Sequence, residues 1–94
     1  MMIYWLEDAK FDLEALHQYI TENNPRAANS IAKRIISAAD LLSEQPNIGR
    51  PGRVLHTREL IISGTPFIIP YQVKNSRVEI LRVLHSAMQW PEEL

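Results

Sequence analysis

The sequence predicts an α+β fold, in which a short N-terminal strand and an antiparallel hairpin of two helices pack on a small antiparallel β-sheet. Two observations lead to this prediction. Apolar residues recur at helical spacing through the first half of the chain, and three runs rich in β-branched and aromatic residues fill the second half. A chain of 94 residues is long enough for one domain, which we expect to span 1–94.

The first half begins with a strand and continues into two helices. The strand is predicted at Met2 to Leu6, because Ile, Tyr and Trp favour strands. Apolar residues then return every three or four positions from Leu6 to Ile20, which is the pattern of one helix face. Pro25 ends this helix, since the residue before a proline is disfavoured in the helical conformation. Asn24 is suited to cap a second helix that has Pro25 at its first position.

The second helix and the strands follow from the same kind of pattern. An apolar stripe from Ala28 to Leu42 predicts the helix, and the two glycines and one proline of 47–52 predict a loop after it. Three strands are predicted, over 54–62, 67–73 and 78–86. Their short connections indicate an antiparallel meander. Pro70 lacks an N–H group in the middle strand, and we expect a bulge there or a ladder that pairs poorly at that point.

Composition excludes several kinds of site. The chain has no cysteine, which excludes disulfides, thiolate metal sites and a cysteine nucleophile. Its three histidines lack metal-ligand spacing, so no metal or other cofactor is expected. Glu7 and Asp8 come too early for a secretory signal peptide, and no apolar run is long enough to span a bilayer. We expect a cytoplasmic protein that does not act at a membrane.

Charge is segregated along the chain. Residues 1–49 carry four basic and seven acidic residues, for a net charge of −3, whereas residues 50–82 carry six basic and two acidic residues, for a net charge of +4. Such asymmetry is typical of proteins with an anionic partner, although a solvated sheet face gives the same pattern. Charge alone favours the solvated face.

A series of short motifs runs through the whole chain in a characteristic order. They are Trp5, Asp12-Leu13, Gly49-Arg50-Pro51-Gly52, Thr57-Arg58-Glu59-Leu60, Pro66-Phe67-Ile68-Ile69, the run from Val78 to His85, and Trp90-Pro91. With these motifs the chain resembles the RelE/ParE family of bacterial toxins over nearly its whole length, and the details resemble the ParE branch more closely. Two positions depart from the pattern: His56 stands where glycine is common, and Gln72 stands where arginine is common.

The resemblance implies the toxin of a type II toxin–antitoxin system, neutralised by a cognate antitoxin. Because the chain has no helix-turn-helix signature, we expect operator DNA binding to reside in the antitoxin. ParE-type members bind and poison DNA gyrase, whereas RelE-type members cut messenger RNA on the ribosome. The leading hypothesis is a gyrase inhibitor that acts by binding. The alternatives are a ribosome-dependent mRNA endonuclease and a degenerate, non-toxic relative that only binds its antitoxin.

The nuclease alternative needs particular side chains. Metal-free attack of a 2′-hydroxyl on phosphate requires a general base, a general acid and a cation. Arg58 and Arg82 are candidates to clamp the phosphate, His85 is the candidate acid or base, and Tyr71 is a candidate positioner. In a regular strand, however, Arg82 and His85 point to opposite faces, so a joint role requires a bulge or a bend.

Five residues are predicted to bind a partner. Arg50 and Arg53 lie in or beside the glycine-containing loop, and loops commonly carry function. Ile80 and Leu84 would lie on apolar parts of the sheet that the helices leave uncovered, where an amphipathic antitoxin segment can dock. Trp90, in the C-terminal tail, is a candidate interface anchor.

Overall fold

The computed structural model describes residues 1–94 and contains two helices and six strands. The elements are β1 (Met2–Trp5), α1 (Glu7–Thr21), α2 (Pro25–Asp40), a 3₁₀ turn (Leu41–Ser43), β2 (Arg50–Pro51), β3 (Arg58–Ile61), β4 (Phe67–Lys74), β5 (Arg77–Ile80) and β6 (Leu84–His85). Neither α-helix has the length and apolar character needed to cross a membrane.

The strands form one mixed sheet in the order β1-β5-β4-β3-β2, and β6 also pairs with β4. The pairs among β2 to β6 are antiparallel, as predicted. β1 is different, because it pairs parallel with β5, with Met2 opposite Arg77 and Trp5 opposite Ile80. Parallel pairing requires a long connection between the two strands, and the helical hairpin and β2 to β4 provide it. The α+β class and the antiparallel meander are therefore confirmed, and the parallel pairing of β1, which the sequence analysis left unassigned, makes the sheet as a whole mixed.

The helical hairpin matches the sequence prediction closely. The side-chain oxygen of Asn24 accepts a hydrogen bond of 3.1 Å from the backbone N–H of Ala27, and Pro25 occupies the first helical position. Ala28 and Ala39 are completely buried. Small side chains at these positions let α2 pack closely against its neighbours.

The hydrophobic core lies between the helical hairpin and one face of the sheet. Its eleven buried members are Ala9, Ile35, Ala39, Leu42, Ile62, Phe67, Ile69, Tyr71, Val78, Ile80 and Val83. We call the side of the sheet that carries these β4 and β5 residues the inner face, and the opposite side the outer face.

Two segments differ from the predicted strand limits. The predicted strand 54–62 is regular only from Arg58, because His56 has a φ of 66° and interrupts the extended conformation. The predicted loop 47–52, in turn, contains two residues that join the sheet. Arg50 lies opposite Glu59, and Pro51 lies opposite Arg58.

A bulge separates β5 from β6, opposite Pro70. The backbone N–H groups of Leu81 and Arg82 both donate to the Pro70 carbonyl, at 3.0 and 3.5 Å. The pairing shifts by one residue across this point: Tyr71 lies opposite Ile80, but Ile68 lies opposite Leu84. Two residues thus face one on β4, so of the two outcomes expected at Pro70 a bulge is the one observed, with its extra residue in the segment between β5 and β6.

Candidate functional site

The bulge decides which way the candidate catalytic residues point. Arg82 contacts Asp12 on α1, and Val83 belongs to the core. The His85 ring packs edge-to-face on the core residue Phe67, with 5.6 Å between ring centroids. Arg82 and His85 therefore lie on the inner face together. The sequence analysis placed them on opposite faces because it counted alternate positions along a regular strand, which has no extra residue.

Arg82 is bound to a carboxylate of the protein itself. Its Nε and Nη2 donate to Asp12 Oδ2 and Oδ1 at 2.7 and 3.0 Å, and the backbone N–H of Val83 donates to the same Oδ2 at 3.0 Å. The hydrogen bonds to Asp12 raise the pKa of the Arg82 guanidinium. Both side chains are mostly buried. Two of the guanidinium nitrogens are thus taken, and a phosphate would have to compete with a bidentate carboxylate.

Arg58 and Tyr71 hold the loop after α2 against the sheet. Arg58 Nη1 donates to the carbonyls of Gly49 and Asn47 at 2.8 and 3.3 Å. The Tyr71 hydroxyl donates to the Pro46 carbonyl at 2.8 Å and accepts from the Gly49 N–H at 2.9 Å. Burial raises the pKa of the Tyr71 phenol. These polar atoms are therefore used to fix the loop.

Gly49 is needed where it stands because the Tyr71 ring approaches its backbone. A Cβ atom at Gly49 would lie 2.6 Å from the Tyr71 ring and hydroxyl, closer than van der Waals contact allows. The Gly49-Arg50-Pro51-Gly52 motif thus has a structural explanation at its first position.

Arg50 and Arg53 both bind the buried carboxylate of Glu59. Arg50 donates to Oε1 through Nε and Nη2, and Arg53 donates to Oε2 through its backbone N–H and Nε. Burial raises the pKa of Glu59, but the hydrogen bonds from Arg53 and Arg50 outweigh this effect and keep the pKa below its ordinary value. About half of each arginine side chain remains exposed. The Arg53 guanidinium also lies over the ring of Trp90, with Cζ 3.5 Å from the ring centroid.

Most of the basic side chains in the second half of the sequence form ion pairs with acidic side chains in the structure. Arg77 binds Glu79 at 2.7 Å, and Gln72 donates to the other oxygen of the same carboxylate, also at 2.7 Å. Arg82 is matched by Asp12 from the acidic first half. The charge segregation along the chain is therefore only partly a segregation in space.

The apolar residues predicted to meet a partner are buried. Ile80 has no exposed surface and belongs to the core on the inner face. Leu84 lies on the outer side after the bulge and is 3% exposed. The two residues do not form one surface, because the bulge separates them, and Ile80 is not accessible to a partner in this conformation.

An apolar groove of about 1020 Å³ lies between α1, the end of the sheet and the C-terminal tail. Tyr19 lines it from α1, Val83 and His85 from the sheet, and Met88 and Trp90 from the tail. His85 Nδ1 accepts from the backbone N–H of Ala87 at 3.0 Å, which places the ring hydrogen of the neutral form on Nε2. His85 Nε2 makes no hydrogen bond within the protein. No cluster of His, Asp or Glu side chains has the arrangement of a metal site.

Asp12 is a site residue that the sequence analysis did not single out for a role. It lies in one of the motifs that carry the family resemblance, but its partner Arg82 is 70 positions away. No local pattern marks a carboxylate as the partner of so distant a residue.

Comparison with known proteins identifies the class of protein. Over 92 residues the chain is 44% identical to "Putative toxin Y4kP" of Sinorhizobium fredii, covering 98% of this chain and 95% of that one. It is 38% identical over 85 residues to "Toxin RelE2" of Caulobacter vibrioides, covering 90% and 94%. Both relatives are named as toxins, and the match covers nearly the whole length of each.

Two solved structures share the fold. A chain of the chromosomal ParDE toxin–antitoxin system from P. aeruginosa superimposes with a TM-score of 0.83 at 27% identity, covering 90% of this chain and 95% of that one. A chain of the toxin–antitoxin complex RelBE2 from Mycobacterium tuberculosis gives a TM-score of 0.66 at 27% identity, covering 89% and 95%. The fold is therefore that of RelE/ParE toxins. The family model of the ParE toxin of type II toxin–antitoxin systems matches residues 3–90, and the chain belongs to this family.

Proposed function

We propose that this protein is a cytoplasmic toxin that inhibits growth by binding DNA gyrase and is neutralised by a cognate antitoxin. One observation carries the choice of binding over catalysis: most of the side chains that RNA cleavage would need are bound to the protein's own atoms. Arg58 holds two carbonyls, Arg82 holds Asp12, and the Tyr71 hydroxyl is bonded on both sides.

Metal-free RNA cleavage needs a base, an acid and a cation that converge on one phosphate. His85 Nε2 is the one free acid–base group of the predicted set, and its nearest cationic candidate, Arg82, is engaged with a carboxylate. A single free imidazole does not make a complete site. The higher TM-score with the ParDE chain than with the RelBE2 chain supports the same choice.

The antitoxin partner is proposed from the same neighbours, since both solved structures come from toxin–antitoxin systems. Arg50, Arg53 and Trp90 remain the proposed contact residues, because each keeps an exposed part of its side chain. Leu84 remains a proposed apolar contact at the edge of the groove that it helps to line, although its side chain points to the outer side of the sheet. A partner that enters this groove covers an apolar surface that the chain itself leaves open.

A second candidate, a ribosome-dependent mRNA endonuclease, is favoured by the bulge. The bulge brings Arg82 and His85 to the same groove, which is the condition that a joint catalytic role requires. The name of the RelE2 relative agrees with this alternative. In this candidate His85 is the acid or base, and Arg82 exchanges Asp12 for the phosphate.

Purified protein can distinguish the two candidates. We expect it to inhibit supercoiling by DNA gyrase in vitro and to leave messenger RNA on programmed ribosomes intact. His85→Gln should retain this inhibition, because glutamine keeps a hydrogen-bond acceptor near Ala87 and removes only the imidazole. His17→Gln, on α1, is the matched control. RNA cleavage that is lost in His85→Gln and kept in His17→Gln would establish the endonuclease instead.

A further inference from the structure

The tail after β6 is joined to the rest of the protein at few points. The backbone N–H of Ser86 donates to the Pro66 carbonyl at 2.8 Å. Beyond it, the hydrogen bonds of Ala87, Met88 and Trp90 all go to His85, which is adjacent in sequence. The bonds of Ala87 and Met88 shape the turn, and the bond from the Trp90 indole N–H to the His85 carbonyl, at 3.2 Å, ties the ring to the end of β6.

Trp90 supplies the long-range contact. The guanidinium of Arg53 lies 3.5 Å from the centre of its ring, within the range of a cation–π interaction. Arg53 is itself fixed, because its backbone N–H and Nε both bind the buried Glu59. Trp90 therefore rests on a planar cation whose position is set by the sheet.

This contact has a consequence for the groove, because the tail is one of its walls. Met88, Trp90 and Pro91 line the groove opposite Tyr19 of α1. Moving the tail away would remove this wall and open the groove on that side.

We propose that Ala87–Leu94 is a strap that closes the apolar groove, and that Arg53 and Trp90 are its clasp. With the clasp closed, Trp90 is held over Arg53, and the groove is bounded by α1, the end of the sheet and the tail. With the clasp open, the strap leaves the sheet and the groove becomes a cleft open on one side. The proposal of a strap and a clasp holds whether the target of the toxin is gyrase or the ribosome.

Arg50 provides a matched control for Arg53. Both arginines bind Glu59, and both are about half exposed, but only Arg53 lies over Trp90. Arg50→Gln removes two side-chain hydrogen bonds to Glu59, whereas Arg53→Gln removes one together with the stacked cation. If a change in the Trp90 signal came only from weaker binding of Glu59 by its two arginines, it should therefore be at least as large in Arg50→Gln as in Arg53→Gln.

The experiment is ¹⁹F NMR of the full chain labelled with 5-fluorotryptophan. The chain has two tryptophans, so Trp5 serves as an internal reference for folding, and Trp90→Phe assigns the signals. We expect Arg53→Gln to move the Trp90 resonance toward that of the free amino acid and to leave Trp5 unchanged. Arg50→Gln should leave both resonances in place. Binding of the apolar dye 8-anilinonaphthalene-1-sulfonate should rise in Arg53→Gln and in Trp90→Ala, but not in Arg50→Gln.

A Trp90 resonance that stays in place in Arg53→Gln, with Trp5 also unchanged, would overturn the clasp. Equal movement in Arg50→Gln would overturn it as well, because the effect would then belong to the Glu59 cluster. Should Arg53→Gln move Trp5 too, Arg53→Met serves as the second variant, since methionine keeps an unbranched side chain but removes the cation that lies over the Trp90 ring. It should shift Trp90 alone, and an unshifted Trp90 in that variant contradicts the proposal.

Discussion

Arg82 and Asp12 are 70 positions apart in the sequence and are joined by two hydrogen bonds of 2.7 and 3.0 Å. The pair links α1 to the bulge between β5 and β6, and Asp12 also accepts the N–H of Val83. Because both side chains are largely buried, the pair is screened little by solvent. Arg82, which the sequence analysis proposed as a clamp for phosphate, therefore connects α1 to the sheet.

Removing the carboxylate should destabilise the protein. Asp12→Ala leaves Arg82 and the Val83 N–H without their acceptor, and we expect the free energy of unfolding to fall by about 2–3 kcal/mol. Urea denaturation followed by circular dichroism measures this. The exposed pair of Glu7 and Lys10 is the control, since Glu7→Ala should cost no more than about 0.5 kcal/mol. A loss equal to that of the control would mean that the Arg82 pair is not a structural link.

Replacing His56 with glycine should stabilise the protein. Its φ of 66° lies in the left-handed region, which costs a residue with a Cβ atom about 1–2 kcal/mol. Since glycine loses more entropy on folding, we expect a net gain of about 0.5–1 kcal/mol and a rise in Tm of a few degrees for His56→Gly. His56→Ala keeps the strain and should show no gain. A Tm that is unchanged or lower in His56→Gly contradicts this account.

The Tyr71 hydroxyl should matter for stability. Tyr71→Phe leaves the Gly49 N–H and the Pro46 carbonyl without a partner, and we expect a loss of about 1–3 kcal/mol in the free energy of unfolding. Thermal unfolding compares it with Tyr19→Phe, which removes a hydroxyl from an exposed side chain and should change little. Equal stabilities of the two variants would show that the loop is held by other contacts.

Acid should unfold the protein through its paired carboxylates. The pKa of Glu79 is lowered by hydrogen bonds from Gln72 and Arg77, and that of Glu59 is also lowered in the folded state. The unfolded chain therefore binds more protons once the pH falls below about 4.5. The stabilisation is complete above that pH and is lost as the pH falls through the folded pKa values.

Glu59→Gln tests this origin of the acid sensitivity. We expect it to lower the Tm at neutral pH and to reduce the further fall of Tm in acid, whereas the exposed Glu14→Gln should follow the wild-type profile. Scanning calorimetry across the acid range measures both. An acid profile of Glu59→Gln that parallels the wild type would assign the sensitivity to other groups.

The helices and the bulge could be predicted from the sequence because their signals are local. Asn24 caps α2 through a group three residues away, and Pro70 withholds an N–H group from its own strand. The limits of the strands were less accurate. The backbone conformation at His56 makes β3 begin only at Arg58, and a pattern of β-branched residues does not report a positive φ.

The candidate site could be predicted only as a list of residues. Counting alternate positions put Arg82 and His85 on opposite faces, since the count cannot register the extra residue of a bulge. The partners of Arg82 and Arg58 are a carboxylate on α1 and carbonyls of a loop. Such contacts depend on packing of distant segments, which no local spacing encodes.

Pulse labelling after controlled induction tests the central proposal most directly. Parallel cultures receive labelled thymidine and labelled methionine, and incorporation is followed from the moment of induction. A prompt fall in thymidine incorporation while methionine incorporation continues is the result that a gyrase-binding toxin predicts. A prompt fall in methionine incorporation, with DNA synthesis initially intact, would contradict it and favour cleavage of messenger RNA at the groove with Arg82 and His85.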